Sequence, residues 1–310
     1  MDPNTNDLIA VDIAKVELQV RTDSELFKVT NNAEGFAKLL EHTKKLKQPL
    51  VVCEATGGYE RALLACLHAR NIPVALVMPS RIRAFARSEG VKAKSDPIDT
   101  EMILRFARQK RLTATPAPCP TRQQIGALMD RRSHLSEQLA REKNRAQNSH
   151  ACIAKSIGRM IRVINKELEG IEAQIRKLID ADLDLKETSS TLQSVQGIGE
   201  VTAWSMIAYL SELGHLKRNQ IVALAGLAPF NKDSGARKAK RSIEGGRAKI
   251  RKCLYMAAQS AARHNPVIKA YVEGLTARGK PYKCAMVAAM RKLLIHLHIQ
   301  IKQQHFALVS

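Results

Sequence analysis

The fold prediction starts from Leu8–Val20, LIAVDIAKVELQV. This stretch is an apolar, strand-like run broken by Asp12. A turn signal at residues 22–24 and a second strand-like segment, LFKVT, follow, so the pattern predicts a meander of strands. An acid within a buried strand costs free energy unless a cation compensates it, so Asp12 needs either a lysine or arginine partner or a metal ion.

Helices and strands alternate after this meander. Asn31 and Asn32 precede a segment with apolar residues on one helical face, and Pro49–Gly58, PLVVCEATGG, is an apolar strand that ends at Glu54 and a glycine turn. A second helical segment, an apolar strand at Ile72–Val77 and a basic helical segment complete the region. This order predicts a mixed α/β sheet with helices on its faces.

Two further acids lie three residues apart in Lys92–Glu101, KAKSDPIDTE. Pro97 suits the first position of a helix, which makes Asp96 the N-cap and places Asp99 one turn later. The two acids could simply cap the helix and complement its dipole. Alternatively, with Asp12 and Glu54 they could form a site for Mg²⁺, which prefers carboxylate oxygen and acts on phosphodiesters as a pair of ions about 4 Å apart.

The charge of the chain indicates a polyanionic partner. Its 310 residues include 50 lysines and arginines against 29 aspartates and glutamates, a formal net charge of +21. Nucleic acid is therefore the leading expectation. An anionic membrane surface is less favoured because no run approaches the roughly 18 apolar residues of a spanning helix. The N-terminus lacks a signal-peptide pattern, and a cytoplasmic, DNA-associated protein without a membrane partner is expected.

Some residue types that often carry chemistry are expected to be structural. The six cysteines lie far apart without zinc-ligand spacing, so they are predicted to be reduced core residues. His296 and His298 fall on different faces of a predicted helix and are poor metal ligands as a pair.

The middle of the chain is predicted to be helical. A proline-rich segment at residues 116–120 marks a boundary, and apolar residues then repeat at alternating spacings of four and three: Ile157, Ile161, Ile164, Leu168, Ile171, Ile175 and Leu178. This heptad pattern predicts a coiled coil, or equally a helical bundle core. The partner helix, with Leu128, Leu135 and Leu139, could belong to the same chain or to another subunit.

A glycine motif and a basic stretch follow. Gly197 and Gly199 between two helical segments resemble a helix-hairpin-helix that contacts a DNA phosphate, although a plain helix–helix turn has the same pattern. Residues 231–252 have a net charge of +7 and few aromatic residues, which favours phosphate contacts over base stacking. The predicted contacts are Lys232, Arg237, Lys238, Lys240, Arg241, Arg247, Lys249, Arg251 and Lys252.

The order of Asp12, Glu54, Asp96 and Asp99 resembles the DEDD signature of transposases from bacterial insertion sequences. That family includes Piv-type DNA invertases and bridge-RNA-guided recombinases. The resemblance implies a RuvC-like domain of the RNase H fold whose four acids bind Mg²⁺, two ions per site. It also implies that Ser234, in GLAPFNKDSG, is the nucleophile that joins DNA covalently. Ser242 is a rival candidate, in RSIEGG, a segment that departs from the family pattern.

The expected architecture is α/β plus α, in three parts. Residues 1–115 form the RuvC-like catalytic domain, residues 116–188 the linker and coiled-coil helices, and residues 189–310 a mostly helical transposase domain with the helix-hairpin-helix and Ser234. The expected function is a transposase or site-specific recombinase that cuts and rejoins DNA through a serine–DNA intermediate. The resemblance implies a structured noncoding guide RNA, and the coiled coil suggests a homo-oligomer, a dimer or tetramer.

Three other functions fit parts of the pattern. A metal-dependent nuclease or Holliday-junction resolvase would use the same four acids with water as the nucleophile. An ATP-using protein of the actin and sugar-kinase fold also begins with an apolar strand carrying an aspartate, but Ile13 and Ala14 stand where a phosphate loop needs glycine. A non-catalytic nucleic-acid scaffold would explain the charge alone.

Overall fold

The computed structural model describes residues 7–91, 96–110, 112–230 and 242–309. The chain divides into two compact units, Met1–Ala117 (unit 1) and Pro118–Ser310 (unit 2). The division falls within the proline-rich segment 116–120. Unit 1 is mixed α/β, and unit 2 is almost entirely helical.

Unit 1 is built on a five-stranded sheet with the order β3-β2-β1-β4-β5. The first three strands form the predicted antiparallel meander, whereas β4 and β5 run parallel to β1. This topology is consistent with an RNase H-like DEDD domain. The strands are β1 (Asp7–Ile13), β2 (Glu17–Arg21), β3 (Leu26–Thr30), β4 (Pro49–Glu54) and β5 (Val74–Val77).

Helices cover both faces of this sheet, as predicted. One core joins Val11 and Val51 to α1 (Ala33–Lys44) and α2 (Arg61–His68). The other joins Ala10 and Val52 to α3 (Pro79–Ser88) and α4 (Asp96–Gln109). Because strand side chains alternate between the faces, the even-numbered residues of β1 and β4 face α3 and α4. Asn32 caps α1 by accepting a hydrogen bond from the Gly35 N–H.

Unit 2 has one continuous hydrophobic core. Two short strands, β6 (Pro229–Phe230) and β7 (Ser242–Ile243), pair antiparallel at the two ends of segment 231–241. The helices are α5 (Pro120–Gln147), α6 (Ala151–Asp180), α7 (Leu183–Gln193), α8 (Glu200–Tyr209), α9 (Arg218–Leu224), α10 (Ala248–His264), α11 (Pro266–Ala277) and α12 (Tyr282–Val309).

The long helices α5 and α6 pack against each other within the chain. Ile157, Ile164, Ile171 and Ile175 are buried on α6, and Leu135 is buried on α5. The face that the heptad pattern predicts is therefore confirmed as the buried face, and it has a partner helix in the same subunit. Coiled-coil geometry stays a prediction.

Helix α12 is long and apolar enough over Tyr282–Phe306 to cross a membrane by length and composition alone. More than half of that span, 56%, is buried within the protein, which is the behaviour of a core helix. His298 supports this assignment, because its buried ring accepts a hydrogen bond from the Gly214 N–H at 3.0 Å. The structural role predicted for His298 is thereby confirmed.

The prediction that the cysteines are core residues was wrong for three of them. All six are free thiols, but Cys119, Cys152 and Cys284 are exposed. These three lie just before α5, in the first turn of α6 and in the first turn of α12. Side chains near helix starts are readily solvated, even when the helix body is buried.

Candidate active site

Asp12 and Glu54 lie at the same edge of the sheet. Strands β1 and β4 are parallel neighbours, and their register pairs Val11 with Cys53. The next residue on each strand is an acid, so Asp12 and Glu54 directly follow the same pair of the register. Both are even-numbered and lie on the face that α3 and α4 cover. The register therefore makes these two strand positions neighbours, while convergence of the acids within metal-binding distance stays a prediction.

Helix α4 brings Asp99 to this face. The helix packs chiefly on β1 and also on β2 and β4. Asp99 precedes the buried residues Met102, Ile103 and Phe106 by three, four and seven positions, so it lies on the packed side of α4 in the first turn. The helix begins at Asp96, the predicted N-cap, one residue earlier than the start predicted at Pro97, and the side chain of Asp96 lies outside the described residues.

The donor chemistry at this edge suits Mg²⁺. Carboxylate and amide oxygens are the hard ligands that this ion takes. Besides the acids, the edge holds Gln19, whose buried Oε1 atom has no hydrogen-bond partner among the described residues. Among the described side chains, no three Asp, Glu, His or Cys residues form a group that could hold a metal. Asp12, Glu54 and Asp99 are among these described side chains and do not form such a group, while the side chain of Asp96 lies outside them. The four-acid site therefore stays a prediction.

Two ion pairs that the sequence analysis missed fasten α4 over the sheet. Arg21 of β2 lies 2.5 Å from Glu101, and Arg108 near the end of α4 pairs with Asp23 in the β2–β3 turn. Arg105 also donates to Glu101, at 2.7 Å. The hydrogen bond from Arg105 and the nearby charge of Arg21 lower the pKa of Glu101, despite the opposing effect of partial burial. Glu101 therefore stays ionised and keeps α4 in place.

The loop after Glu54 is organised by Glu60. Its Oε2 atom accepts hydrogen bonds from the Thr56 N–H at 3.1 Å, the Thr56 hydroxyl at 3.0 Å and the Gly58 N–H at 2.8 Å. Asn31 donates to the carbonyl oxygens of Ala14 and Tyr59, which ties the turn after β1 to this same loop. The loops that follow the two acid-bearing strands are thus joined to each other.

The second predicted centre falls largely on segment 231–241, outside the described residues. Ser234, Lys232, Arg237, Lys238, Lys240 and Arg241 all belong to this segment. Its flanks are described: Phe230 pairs with Ser242, the rival nucleophile, which is exposed on β7. Gly226 and Gly246 approach backbone to backbone below this hairpin, where a Cβ on Gly246 would stand 2.3 Å from the Gly226 nitrogen.

The remaining predicted phosphate contacts have partners within the protein. Arg247 donates two hydrogen bonds to Glu212, each 2.7 Å long. Lys249 pairs with Asp130, Lys252 lies 3.0 Å from Glu137, and Arg251 donates to the Gly245 carbonyl. Three of these four cations therefore neutralise acids of unit 2. These cations therefore have a structural role that the sequence did not reveal. Their contact with phosphate stays a prediction.

Gly197 has a packing role as well. Its φ angle is +99°, and a Cβ there would lie 2.6 Å from the Cβ of Ala261 on α10. Gly199 is the N-cap of α8 and has open space around it. The close approach of α10 explains why the first position of the motif requires glycine.

Comparison with known proteins identifies the class to which this geometry belongs. Residues 9–149 match a family model described as a transposase, DEDD type, of IS110 elements, and residues 189–273 match the transposase IS116/IS110/IS902 family. The chain belongs to the IS110-type transposase family. Membership makes it a DNA transposase or recombinase by class.

Individual relatives of this IS110-type transposase agree with that assignment. The chain is 27% identical to the pilin gene-inverting proteins of Moraxella lacunata and Moraxella bovis, over 88% of each sequence. It is 24% identical to the transposase for insertion sequence element IS1111A of Coxiella burnetii, over 83% of this chain and 78% of the relative.

The matches map onto both units of the transposase. The first begins in β1 and extends to the end of α5, so it includes all four predicted acids. The second extends from α7 into α11 and includes the β6–β7 hairpin with the segment that carries Ser234.

Proposed function

We propose that this transposase cuts and rejoins DNA strands with an acidic centre in unit 1 and Ser234 of unit 2. The observation that carries the proposal is the register of β1 and β4, which puts Asp12 and Glu54 side by side at the edge that α4 covers. Two neighbouring half-buried carboxylates repel each other, and a bound cation relieves that repulsion. The family match to a transposase supports DNA as the polymer that brings its phosphates there.

The residues that would hold Mg²⁺ are Asp12, Glu54, Asp96 and Asp99, around two ions. Bound there, Mg²⁺ would supply positive charge against the phosphate oxygens and favour charge development in the transition state. The acids themselves orient the site. The Arg21–Glu101 pair and the Glu60 loop hold the backbone segments from which Asp99 and Glu54 extend.

Ser234 would carry the covalent step. Its hydroxyl oxygen bonds to the phosphorus of a DNA phosphodiester, and the bond from phosphorus to one bridging deoxyribose oxygen breaks. The serine gives up a proton, the released deoxyribose oxygen gains one, and the product is a phosphoserine linked to DNA. A hydroxyl group from another strand then attacks that phosphorus, rejoins the backbone and restores the serine.

The finer architecture forms part of the same proposal. Unit 1 would be RuvC-like, the α5–α6 pair would extend as a coiled coil in a homo-oligomer, and the turn at Gly197–Gly199 would act as a helix-hairpin-helix toward DNA. A structured guide RNA would supply the base pairing that selects DNA, since the predicted contacts are to phosphate. Cations of segment 231–252 would contribute to both nucleic-acid contacts.

Ser234→Ala tests the covalent step. Incubation with substrate DNA followed by a denaturing gel should show a protein–DNA adduct for the wild type and none for Ser234→Ala. DNA affinity should change little, because one neutral hydroxyl adds little beside many phosphate contacts. Asp12→Ala should also stop the reaction, and Ser242→Ala is the matched serine control, which should keep the adduct.

The acids equally suit a metal-dependent nuclease or junction resolvase, in which water replaces Ser234. Cleavage by Ser234→Ala at the wild-type rate, with no adduct from the wild type, would assign the protein to that class. If Ser242→Ala lost the adduct and Ser234→Ala kept it, the nucleophile would be assigned to Ser242 on β7.

A further inference from the structure

A buried glutamine stands opposite Asp12 in the sheet. Gln19 of β2 and Asp12 of β1 are paired in the antiparallel register, so their side chains leave the same face as neighbours. Helix α4 packs on both strands and covers that face. Gln19 thus shares the covered edge with the first acid of the proposed site.

The burial of this amide calls for a partner. Gln19 is 7% exposed, and its Oε1 atom forms no hydrogen bond within the described part of the chain. The residues on either side of it, Leu18 and Val20, are fully buried aliphatic residues of the opposite face. An unpaired buried amide costs free energy that an aliphatic side chain would avoid, so a purely structural position would favour leucine or valine.

We propose that Gln19 supplies its amide oxygen to the hydrated Mg²⁺ at Asp12. The inference rests on the proposed function, since it assigns one more residue to that site. Mg²⁺ accepts neutral carbonyl oxygens beside carboxylates and usually keeps several waters, which can donate hydrogen bonds to such an oxygen. Gln19 adds an amide oxygen without adding negative charge to an edge that already holds several acids.

The test measures Mn²⁺ binding to the full chain in the absence of nucleic acid. Calorimetry and electron paramagnetic resonance follow the binding. Gln19→Leu should weaken Mn²⁺ binding about tenfold or more, the scale of losing a supporting ligand. Gln304→Leu is the matched control, because the buried amide atoms of Gln304 in α12 also lack partners in the described part of the chain but lie in unit 2. It should leave Mn²⁺ binding unchanged.

Thermal unfolding without metal separates this role from a structural one. Replacing an unpaired buried amide by an aliphatic group should leave the melting temperature of metal-free Gln19→Leu equal or higher. Mn²⁺ affinity equal to that of the wild type would overturn the proposal. Should Gln19→Leu fail to fold, Gln19→Met, which is unbranched like glutamine, serves instead. Absence of Mn²⁺ binding in the wild type would overturn the metal site of the proposed function as well.

A cavity in unit 2 carries a second, independent inference. It has a volume of about 550 Å³ and opens between α9, the β6–β7 hairpin, α11 and α12. We name it the α12 pocket. Leu227, Val287 and Ile295 contribute to an apolar wall, while Arg218, Arg291 and Lys292 bring positive charge. No acid is found among the described residues that line it.

The combination of apolar wall and cations selects a class of ligand. An uncharged apolar ligand would not need three cations, and a bare phosphate would not need an apolar wall. A nucleotide has both a flat base and a phosphate, and the volume lies within the roughly 300–1,000 Å³ of small-ligand sites. Lys292 stacks over the Tyr271 ring at 4.4 Å, which places an aromatic residue in the lining.

We infer that the α12 pocket receives one unpaired nucleotide of the bound nucleic acid, an inference that also rests on the proposed function. The probes are a DNA duplex with one unpaired nucleotide and a fully paired duplex of equal length. The wild type should prefer the first about tenfold, as base stacking in a pocket would give. Ala288→Trp, which fills the pocket without changing charge, should remove the preference and leave the affinity for the paired duplex unchanged.

Ala277→Trp, at an exposed position of α11, is the matched control and should keep the preference. A measurement on the wild type complements the variants: the unpaired nucleotide should slow alkylation of the pocket residue Cys284, while exposed Cys119 and Cys152 serve as references. Equal affinity for both duplexes, or a preference that survives Ala288→Trp, would overturn the inference. Failure to bind either duplex would contradict the proposed function itself.

Discussion

At the scale of single residues, the two glycines of the motif before α8 have different structural roles. Gly197 has a left-handed backbone and packs directly on the α10 backbone, whereas Gly199 lies in open space at a helix start. We expect Gly197→Ala to destabilise the protein by about 2 kcal/mol or more, because the added Cβ must displace α10 and adopt a strained φ. Thermal or urea unfolding measures this.

Gly199→Ala is the control for that substitution. Its backbone is extended, and the effect should stay below about 1 kcal/mol, the scale of exchanging an N-cap residue. Equal destabilisation by the two substitutions would show that the packing against Ala261 does not distinguish them.

Single residues also show what the sequence can predict. Asp12 and Glu54 were recognisable because a lone acid in an apolar strand is a local signal. Gln19 was not, because its importance depends on the register that sets it opposite Asp12. The same limit applies to Glu60 and Arg21, whose partners are set by loop conformation and by helix packing. Local patterns predict positions along an element, whereas pairing between elements needs the fold.

At the scale of elements, the sheet, its covering helices and the buried face of α6 were predictable from alternation and heptad spacing. The partners of the cations in the basic stretch 231–252 were harder to predict. Lys249 and Lys252 of α10 pair with Asp130 and Glu137 of α5, which are distant in sequence. Charge counting treats such cations as available to a ligand, although part of their charge already stabilises helix packing.

The Arg247–Glu212 pair, which links the start of α10 to the turn after α8, should make stability depend on pH. Burial raises the pKa of Glu212, but the hydrogen bonds and charge of Arg247 outweigh it and leave the pKa below its ordinary value. A carboxyl whose pKa is lower in the folded state stabilises the fold above its unfolded pKa, about 4.3. That contribution disappears as the pH falls through the lowered value.

We therefore expect Glu212→Gln to reduce the free energy of unfolding by about 1 kcal/mol at pH 7, since the pair is partly exposed. The difference from the wild type should shrink below about pH 4. Melting temperatures between pH 7 and pH 3 provide the measurement. Glu273→Gln, at an exposed position of α11, is the matched control, and a pH-independent difference for Glu212→Gln would contradict the assignment.

At the scale of the whole molecule, the net charge of +21 should dominate nucleic-acid binding. Binding that releases counterions from six or more phosphates should weaken on the order of 10³-fold between 50 and 200 mM salt. Fluorescence anisotropy with a labelled duplex measures the slope. Because only cations that contact phosphates release counterions, we expect fewer released counterions than the net charge. Affinity that does not change with salt would contradict phosphate-dominated binding.

The molecule should also unfold in more than one step. Among the described residues, each hydrophobic core takes its members from unit 1 or from unit 2. We expect two calorimetric transitions, one for each unit. Leu67→Ala, in the core of unit 1, should lower the free energy of unfolding of unit 1 by about 2–5 kcal/mol and so shift only its transition. Leu254→Ala should do the same for unit 2. A single transition shifted equally by both variants would show one cooperative fold.

The separation of the cores at the proline-rich segment has a consequence for inheritance. A crossover between related genes at that point delivers each described core whole, because the residues of one core all belong to one unit. Crossovers inside α4 or α10 instead mix residues selected in different proteins. Exchange of whole units is thus the route by which chimaeric transposases of this family can arise in one step and still fold.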